Sequence, residues 1–441
     1  MTTLEYVERG LSFLSQPSSL GSNVVFSLAP TGRESLMTVS PRLGYSSVQL
    51  SQQSSARVRS NYFLYRSVFT LSLIILLPPH HIFLNSEKMA IRARQELIRQ
   101  RFQGALIGAL VGDCYGAPFE HKKVANPTTL MDNIEELSKQ RTLYYTDDTC
   151  MSISTCKSLL ERKGFDAHHL AREFSESYFR EPKRGYGPAV RTVFKKLKKE
   201  DYQRPFEPAA SQFEGQGSFG NGAAMRCIGV GLFAYKQSMG DKSAVELSES
   251  CAKLTHTHIH GVNGATLLVL AVRYVLRLDE NELDDIGFVD YLIDKMVDLE
   301  DENDRIYSKK LDSIKKVLQN LNVSGTDVDQ REIVRLLGND VAAQNSVPLA
   351  IYSFIRGNSK FTDLYGIDNE FSRTLHWAIS CGGDTDTIAS MACGLCGAYL
   401  GIDKIPEHLY KVCEGWQDIK GYADQMLPFD PPQRTVTDED E

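Results

Sequence analysis

Two short stretches of the sequence combine carboxylates with threonine hydroxyls in a way that suits metal chemistry. The first is Thr146-Asp147-Asp148-Thr149, and the second is Gly382-Gly383-Asp384-Thr385-Asp386-Thr387. Each opens a run of small or apolar residues that is typical of a buried helix. Because the free N–H groups of a first helical turn favour negative charge, either stretch alone could be an ordinary acidic helix start.

A shared site follows if the two helix starts meet. Four carboxylates in one small space cannot all stay ionised without compensation, and neither stretch contains a lysine or an arginine. Divalent cations are the simplest compensation, and oxygen ligands favour Mg²⁺, Mn²⁺ or Ca²⁺ over zinc. Two ions would roughly neutralise the four acids, and a carboxylate such as that of Asp386 could bridge them.

A glycine-rich loop, residues 213–222, offers a second kind of site. It contains Gly215, Gly217, Gly220 and Gly222 and precedes a largely apolar helix predicted from residue 223 to 235. Glycines ahead of a helix N-terminus let backbone N–H groups approach a phosphate. The loop is neither a Walker loop nor a Rossmann fingerprint, because it lacks Gly-Lys-Ser/Thr and no strand precedes it.

The aromatic and histidine residues near this loop have competing interpretations. Phe213 and Phe219 could stack on a nucleobase or belong to the core. His256, His258 and His260 alternate along the chain, which permits a zinc site. We do not favour zinc, because no neighbouring carboxylate or cysteine completes the set.

A glycine stripe marks the helix that leads toward the first acidic stretch. Gly104, Gly108 and Gly112 fall on one helical face that ends at Asp113. The apolar run is too short for helix pairing in a membrane, so it predicts close packing in a soluble helical core. A buried Asp113 needs polar partners, either beside the metals or at a helix end. Glu120, a few residues later, is by itself an ordinary surface acid.

The elements that position these residues are predicted to be helices. No period-two alternation is long enough for a strand, and no internal repeat is present. The predicted class is all-α: one compact bundle of many helices, with the motifs at helix N-termini lining a shared cleft. Residues 121–142 are predicted to form a long polar loop, of the kind that often acts as a lid. The glycine-rich turn at 184–188 is interpreted as a connector.

Composition narrows the class of protein. The chain has 441 residues, 42% apolar and 24% charged, which is enough for one large domain or two ordinary ones. A net charge of −7 argues against general affinity for nucleic acid. The nine cysteines show no framework spacing, so we expect free thiols in a reducing compartment, with Cys393 and Cys396 packed in the core.

The two ends of the chain differ from the rest. Residues 1–88 are rich in serine and glutamine, lack acids from Ser35 to Ser86, and hold an apolar run too short to span a membrane. They could be a transit-type extension, a poor membrane anchor or a gene-prediction artefact, and we favour the artefact, with Met89 as the true start. Residues 428–441 are predicted to be an acidic disordered tail.

The two acidic stretches resemble the metal signature of the ADP-ribosylglycohydrolase family. The segment Phe206–Arg226 resembles the serine-specific branch of the ADP-ribosyl-acceptor hydrolases within that family. The resemblance runs roughly from Arg101 to Tyr422, with its motifs in the expected order. It implies a single compact orthogonal multi-helix bundle of the ADP-ribosylglycohydrolase type with a binuclear metal cleft, and a catalytic domain at residues 89–427.

The resemblance also implies roles for individual residues. Two Mg²⁺ ions would be held by Thr146, Asp147, Asp148, Asp384, Asp386 and Thr387. Asp113 would lie beside the metals, and Glu120 would be the catalytic base or a gate that swings aside for substrate. The substrate would contact Phe213, Gly217, Ser218, Phe219, Gly220, Asn221 and His256. We expect tyrosine in relatives at position 219, so phenylalanine keeps the stacking and loses a hydroxyl.

The implied activity is removal of ADP-ribose from serine in modified proteins, extending to poly(ADP-ribose) and O-acetyl-ADP-ribose. The alternatives are a catalytically silent ADP-ribose-binding protein, a two-metal phosphoesterase and an arginine-specific ADP-ribosyl hydrolase. The implied partners are ADP-ribosylated proteins, ADP-ribose and poly(ADP-ribose), bound by a monomer without direct DNA or membrane contact. Nucleus, cytoplasm and mitochondrial matrix are all compatible with the resemblance.

Overall fold

The computed structural model describes residues 79–121, 126–279, 282–324, 328–359 and 366–428. Residues 83–441 group as one compact unit. Residues 1–78 of the predicted extension and residues 429–441 of the predicted tail lie outside the described residues. The boundaries at Met89 and Leu427 therefore stay predictions.

Helices account for the architecture of the described residues. In chain order they are α1 (Pro79–Gly116), α2 (Pro127–Ser138), α3 (Asp147–Arg162), α4 (Ala167–Arg180), α5 (Pro188–Lys199), α6 (Glu207–Ala210), α7 (Ile228–Lys236), α8 (Asp241–Lys253), α9 (Ile259–Arg277), α10 (Asp285–Leu299), α11 (Tyr307–Ser324), α12 (Gln330–Leu337), α13 (Ala343–Asn358), α14 (Glu370–Ser380), α15 (Thr385–Leu400), α16 (Glu407–Tyr410) and α17 (Trp416–Gln425). The described ranges contain no β-strand, only two isolated bridges. The all-α prediction is confirmed.

Helix α15 lies at the centre, with α1 antiparallel along it. Every residue of α15 except its last is buried. A Cβ added to Gly108 would collide with the carbonyl oxygen of Cys393, and one added to Gly112 with that of Ala389. The glycine stripe therefore lets two backbones touch, as predicted. This packing brings the C-terminal end of α1 to the N-terminal end of α15, where a Cβ on Gly116 would lie 2.5 Å from Asp386 Cα.

Helix α2 corrects the expectation of a long loop across residues 121–142. The Asn126 side chain accepts hydrogen bonds from the N–H groups two and three residues ahead, which starts the helix. Leu130 and Ile134 are four residues apart, and both are buried. The loop prediction is wrong for residues 127–138 because polar neighbours masked this helical spacing.

Helix α9 is a buried core helix. By length and composition it could cross a membrane, yet 83% of its most apolar window is buried inside the protein. It packs against α7, α8, α13 and α15. Its apolar surface is therefore covered by other helices of the same chain.

All nine cysteines are buried and unbonded to one another. Cys393 and Cys396 lie on α15 with no exposed surface. The prediction that this pair serves core packing is confirmed.

Candidate functional site

Asp113, at the end of α1, holds the start of α3 in place. Its carboxylate is fully buried and accepts hydrogen bonds from Thr146 N at 3.0 and 3.1 Å, from Thr149 N at 3.1 Å and from Thr149 Oγ1 at 2.6 Å. These include backbone donors that a first helical turn leaves unpaired. Burial raises the pKa of Asp113, and the hydrogen bonds from Thr149 and Thr146 oppose that rise. Asp113 therefore positions the first acidic stretch.

A left-handed turn places the second acidic stretch. Gly383 has φ = 78°, and a Cβ there would overlap the carbonyl oxygen of Asn339, so only glycine suits the position. The same Asn339 oxygen accepts a hydrogen bond from Asp384 N at 2.9 Å. The carbonyl oxygen of Gly383 accepts one from His121 N at 2.8 Å. Asn339 and His121 were not predicted, because neither lies in a recognisable pattern.

The two helix starts meet, as the shared-site interpretation requires. Thr387 Oγ1 donates to Asp148 Oδ2 at 3.3 Å, and Thr146 Oγ1 lies 3.4 Å from the same oxygen. Asp148 is 2% exposed. Its other oxygen, Oδ1, is buried and has no hydrogen-bond partner among the described residues. A buried carboxylate oxygen without a donor is suited to a cation.

Glu120 adds a fifth carboxylate. Glu120, Asp384 and Asp386 each place one carboxylate oxygen within 4.8 Å of the others. Glu120 is half-buried, and its Oε1 lies 3.1 Å from Nε2 of the exposed His121. We call Glu120, Asp147, Asp148, Asp384 and Asp386 the acid cluster.

Burial and mutual repulsion disfavour full ionisation of the acid cluster. Burial, followed by the charge of Asp113, raises the pKa of Asp147 to about 8. Burial and the charge of Asp384 raise the pKa of Asp386 to about 10. Burial and Asp386 raise the pKa of Asp148 well above its usual range. Since all the candidate ligands are oxygens, these residues could bind a hard metal ion.

The glycine-rich loop reaches the acid cluster through Asn221. Asn221 Nδ2 donates to Asp384 Oδ2 at 2.5 Å and to Ser346 Oγ at 3.0 Å. Asn221 is 6% exposed, so both bonds are inside the protein. The loop, a candidate phosphate-binding backbone, therefore lies next to the acid cluster.

His256 lies beneath the loop as a neutral ring. It is buried, and its Nδ1 forms a 2.7 Å hydrogen bond with Thr255 Oγ1. A Cβ on Gly222 would lie 2.8 Å from His256 Cε1, so the ring sets the floor of the loop. Burial lowers the pKa of His256 to about 3. His256 therefore offers hydrogen bonding and shape, without charge.

The loop presents its aromatic rings outward. Phe213 is 55% exposed and Phe219 is 47% exposed, which is incompatible with the core interpretation. Ser218 Oγ accepts a hydrogen bond from Gly220 N at 3.2 Å, and Gly217 adopts φ = 75° against Thr257. Two exposed rings around a glycine turn are suited to stacking on a planar ligand.

The three histidines have different hydrogen-bond partners. His258 Nδ1 accepts a hydrogen bond from His260 N at 3.1 Å, and His260 Nε2 lies 2.8 Å from Asp304 Oδ2. Within the part of the chain that the structure describes, these histidines belong to no potential metal cluster. The sequence missed one neighbouring carboxylate, that of Asp304, which contacts His260.

The connector between α4 and α5 was interpreted only as a turn, yet it borders the acid cluster. A Cβ on Gly185 would lie 3.1 Å from Asp147 Oδ1. Arg184 forms a double ion pair with Glu414, at 2.6 and 2.9 Å, and lies 4.1 Å from the centre of the Tyr145 ring. The glycine pair ahead of the proline that starts α5 was the sequence signal for this connector. No sequence signal indicated that Arg184 pairs with Glu414.

The comparisons with known proteins agree with this geometry. Residues 94–434 match the sequence profile of the family described as ADP-ribosylglycohydrolase. The ADP-ribosylhydrolase ARH3 of Xenopus tropicalis is 40% identical over 342 residues, which cover 74% of this chain and 94% of that protein. The ADP-ribosylhydrolase ARH3 of Homo sapiens is 39% identical over 347 residues, with 74% and 92% covered.

A solved structure described as an ADP-ribosylglycohydrolase-related protein complex supports the fold. It covers 75% of this chain and 98% of its own, with a TM-score of 0.54 and 22% identity. At that identity the likeness concerns the fold alone. With the profile match and the two relatives, the family predicted from the acidic stretches is confirmed: the chain belongs to the ADP-ribosylglycohydrolase family.

Proposed function

We propose that the protein hydrolyses the bond between C1 of the distal ribose of ADP-ribose and a serine oxygen of a modified protein. The observation that carries this is the hydrogen bond from Asn221, in the glycine-rich loop, to Asp384 of the acid cluster. This bond connects the glycine-rich loop, which is suited to a diphosphate and an adenine, with the acid cluster, which is suited to a ribose. The relatives named ADP-ribosylhydrolase support the same class of substrate.

Two magnesium ions complete the acid cluster in this proposal. The ligands would be Thr146, Asp147, Asp148, Asp384, Asp386 and Thr387. The unpartnered Oδ1 of Asp148 and the raised pKa values of Asp147 and Asp386 support cation binding there. When bound, the ions would supply Lewis acidity and fix the ribose hydroxyls.

The protein's own groups have distinct tasks. Glu120 accepts a proton from the attacking water at a carboxylate oxygen, within reach of Asp384 and Asp386. The water oxygen forms a bond to C1 as the bond from C1 to the serine oxygen breaks, and the serine oxygen takes up a proton. Asp113 keeps the first acidic stretch in register through Thr146 and Thr149.

The glycine-rich loop binds the rest of ADP-ribose. The backbone around Gly217, Ser218 and Gly220 would face the diphosphate, where N–H donors suit an anion. The exposed rings of Phe213 and Phe219 would flank the adenine. His256, held neutral, supports this loop from below.

The test is release of ADP-ribose from a serine-ADP-ribosylated peptide and from an arginine-ADP-ribosylated one, each with Mg²⁺ and with EDTA. Mg²⁺-dependent release from the serine peptide alone supports the proposal. Release only from the arginine peptide would mean that the enzyme hydrolyses the bond to arginine and not the bond to serine. ADP-ribose binding without release would assign a silent binding protein, and hydrolysis of a generic phosphomonoester would indicate a phosphoesterase.

The proposal includes three properties of the whole protein. It acts as a monomer, without direct DNA binding, in the nucleus, cytoplasm or mitochondrial matrix. Light scattering tests the first, a mobility shift with duplex DNA the second, and imaging of the tagged chain in cells the third.

A further inference from the structure

A cavity of about 710 Å³ opens beside the acid cluster. We call it the Tyr144 cavity. It is lined by Tyr144, Tyr145, Thr146, Arg180, Glu181, Pro182, Lys183, Arg184 and Gly185. It shares Thr146 with the acidic stretch, and Gly185 borders Asp147. A group leaving the anomeric carbon therefore has this cavity as a neighbour.

The wall of the cavity is held in place by Arg184. Its guanidinium binds Glu414 at 2.6 and 2.9 Å, Glu181 at 2.7 Å and the carbonyl oxygen of Tyr145 at 3.0 Å. These bonds tie the α4–α5 connector to the segment that leads into α3. They also engage the carboxylates of Glu181 and Glu414, so neither repels an incoming anion strongly.

Two basic side chains and one aromatic ring of the cavity, those of Arg180, Lys183 and Tyr144, are accessible to a ligand. Arg180 and Lys183 are exposed, and neither forms an ion pair within the described residues. Tyr144 is 68% exposed. Two uncompensated cations and one accessible ring are suited to a ligand that carries phosphates and a nucleobase.

We propose that the Tyr144 cavity is a subsite for the second ADP-ribose unit of poly(ADP-ribose), an inference that rests on the proposed function. In the polymer the leaving atom is a ribose hydroxyl oxygen of the next unit, so a nucleobase and a diphosphate follow within a few bonds. Tyr144 stacks on the adenine, and Arg180 and Lys183 bind the diphosphate. A serine-linked peptide presents no such fixed anion on this side.

The reaction at this subsite is the same hydrolysis. One water molecule is consumed, the bond from C1 to the ribose oxygen breaks, and that oxygen takes up a proton. The products are ADP-ribose and a polymer shortened by one unit. No further reactant is required.

The test compares kcat/KM for short poly(ADP-ribose) with kcat/KM for a serine-ADP-ribosylated peptide. The variants are the double substitution Arg180→Ala/Lys183→Ala and the single substitution Tyr144→Ala. We expect about a tenfold loss for the polymer, mainly in KM, and less than about a twofold change for the peptide. The double substitution Lys195→Ala/Lys199→Ala removes the same charge from exposed positions on α5 and serves as the control.

Three other outcomes of this comparison overturn the inference. Equal losses on both substrates would mean that these residues position the acidic stretch, and a loss on the peptide alone would assign the cavity to peptide. No loss would leave the cavity without a role in the reaction. If the unaltered enzyme hydrolyses neither substrate, the proposed function fails, and calorimetry then decides this inference separately. An ADP-ribose dimer should bind more tightly than the monomer only when Arg180 and Lys183 are present; equal affinities would refute the subsite.

Discussion

Glu120 and Asp148 have different surroundings although both are carboxylates. Glu120 is half-buried at the edge of the acid cluster, where substrate and water can reach it. Asp148 is enclosed, with one oxygen bound by threonine hydroxyls and the other without a donor among the described residues. An accessible acid can exchange protons with water, whereas an enclosed one can serve only a permanently bound partner.

Replacing Glu120 by glutamine should abolish most turnover. The amide keeps the shape of the side chain but cannot accept the proton, so kcat should fall by about 10²–10⁴-fold. ADP-ribose binding should change little, because the proposed function assigns the binding surface to the glycine-rich loop. Single-turnover kinetics and calorimetry measure the two effects. Glu176→Gln, an exposed acid on α4, is the control, and full activity of Glu120→Gln would contradict the assigned role.

Replacing Asp148 by asparagine should stabilise the metal-free protein and remove its response to metal. Burial and the neighbouring acids disfavour the charged form of Asp148, so folding in EDTA must either protonate this acid or bury its charge, and asparagine avoids that cost. It also removes a cation ligand, so Mg²⁺ should raise Tm in the unaltered protein and not in the variant. Thermal melts with EDTA and with Mg²⁺ test both points, with Asp132→Asn on the surface of α2 as the control. An undiminished Mg²⁺ response in the variant would argue against Asp148 as a ligand.

At the scale of elements, the contact between α1 and α15 sets the site. Asp113 and the glycine stripe belong to α1, whereas Asp386 lies in the first turn of α15. The stripe lets the helix axes approach until backbone meets backbone, so the acids at the two ends are brought together by packing. The glycine-rich loop then contacts the acid cluster through Asn221, and the α4–α5 connector borders it through Gly185.

Adding a methyl group to the glycine stripe should destabilise the whole fold. In Gly108→Ala the new Cβ meets the Cys393 carbonyl group, a backbone atom that cannot rotate away. We expect a loss of about 1–3 kcal/mol in the free energy of unfolding, and more if α1 shifts. Gly164→Ala is the matched control, because nothing lies within 4 Å of its added Cβ. Urea denaturation compares the two; equal stability would mean that the helices are not in backbone contact.

At the scale of the whole molecule, a buried ion cluster joins α8, α9 and α10. Asp241 interacts with Arg273 at 3.1 Å, Arg277 at 3.6 Å, Lys295 at 2.9 Å and Tyr291 at 2.9 Å. Burial alone would raise the pKa of Asp241, but the hydrogen bonds and cations around it outweigh burial and lower the pKa to about 2. The ionised form is therefore stabilised by folding.

The pH dependence of stability follows from the sign of that shift. Because the folded pKa lies below the ordinary value of 3.8, the contribution of Asp241 is present above about pH 4 and is lost as the pH falls toward 2. Asp241→Asn should cost about 3 kcal/mol of unfolding free energy at pH 7 and clearly less at pH 3. Urea unfolding at both values measures this, with exposed Asp294→Asn as the control. A cost that does not change with pH would exclude this linkage.

The sequence predicts the acids, the glycine-rich loop and the helical class because each leaves a local pattern. Acids at a helix start, glycines before a helix and the absence of alternation are all visible within a dozen residues. Helix α2 was missed because its two buried residues, Leu130 and Ile134, are outnumbered by polar neighbours. The pairing of Arg184 with Glu414 spans 230 positions, and no local pattern reports such a contact.

The α1–α15 contact also bears on how the protein is made. The glycine stripe of α1 leaves the ribosome almost three hundred residues before its partner surface on α15. At about 5–20 residues per second, the stripe waits roughly 15–60 s with its apolar neighbours uncovered. A ribosome that stalls before residue 382 leaves a chain with three of the five residues of the acid cluster, Glu120, Asp147 and Asp148, and without Asp384 and Asp386.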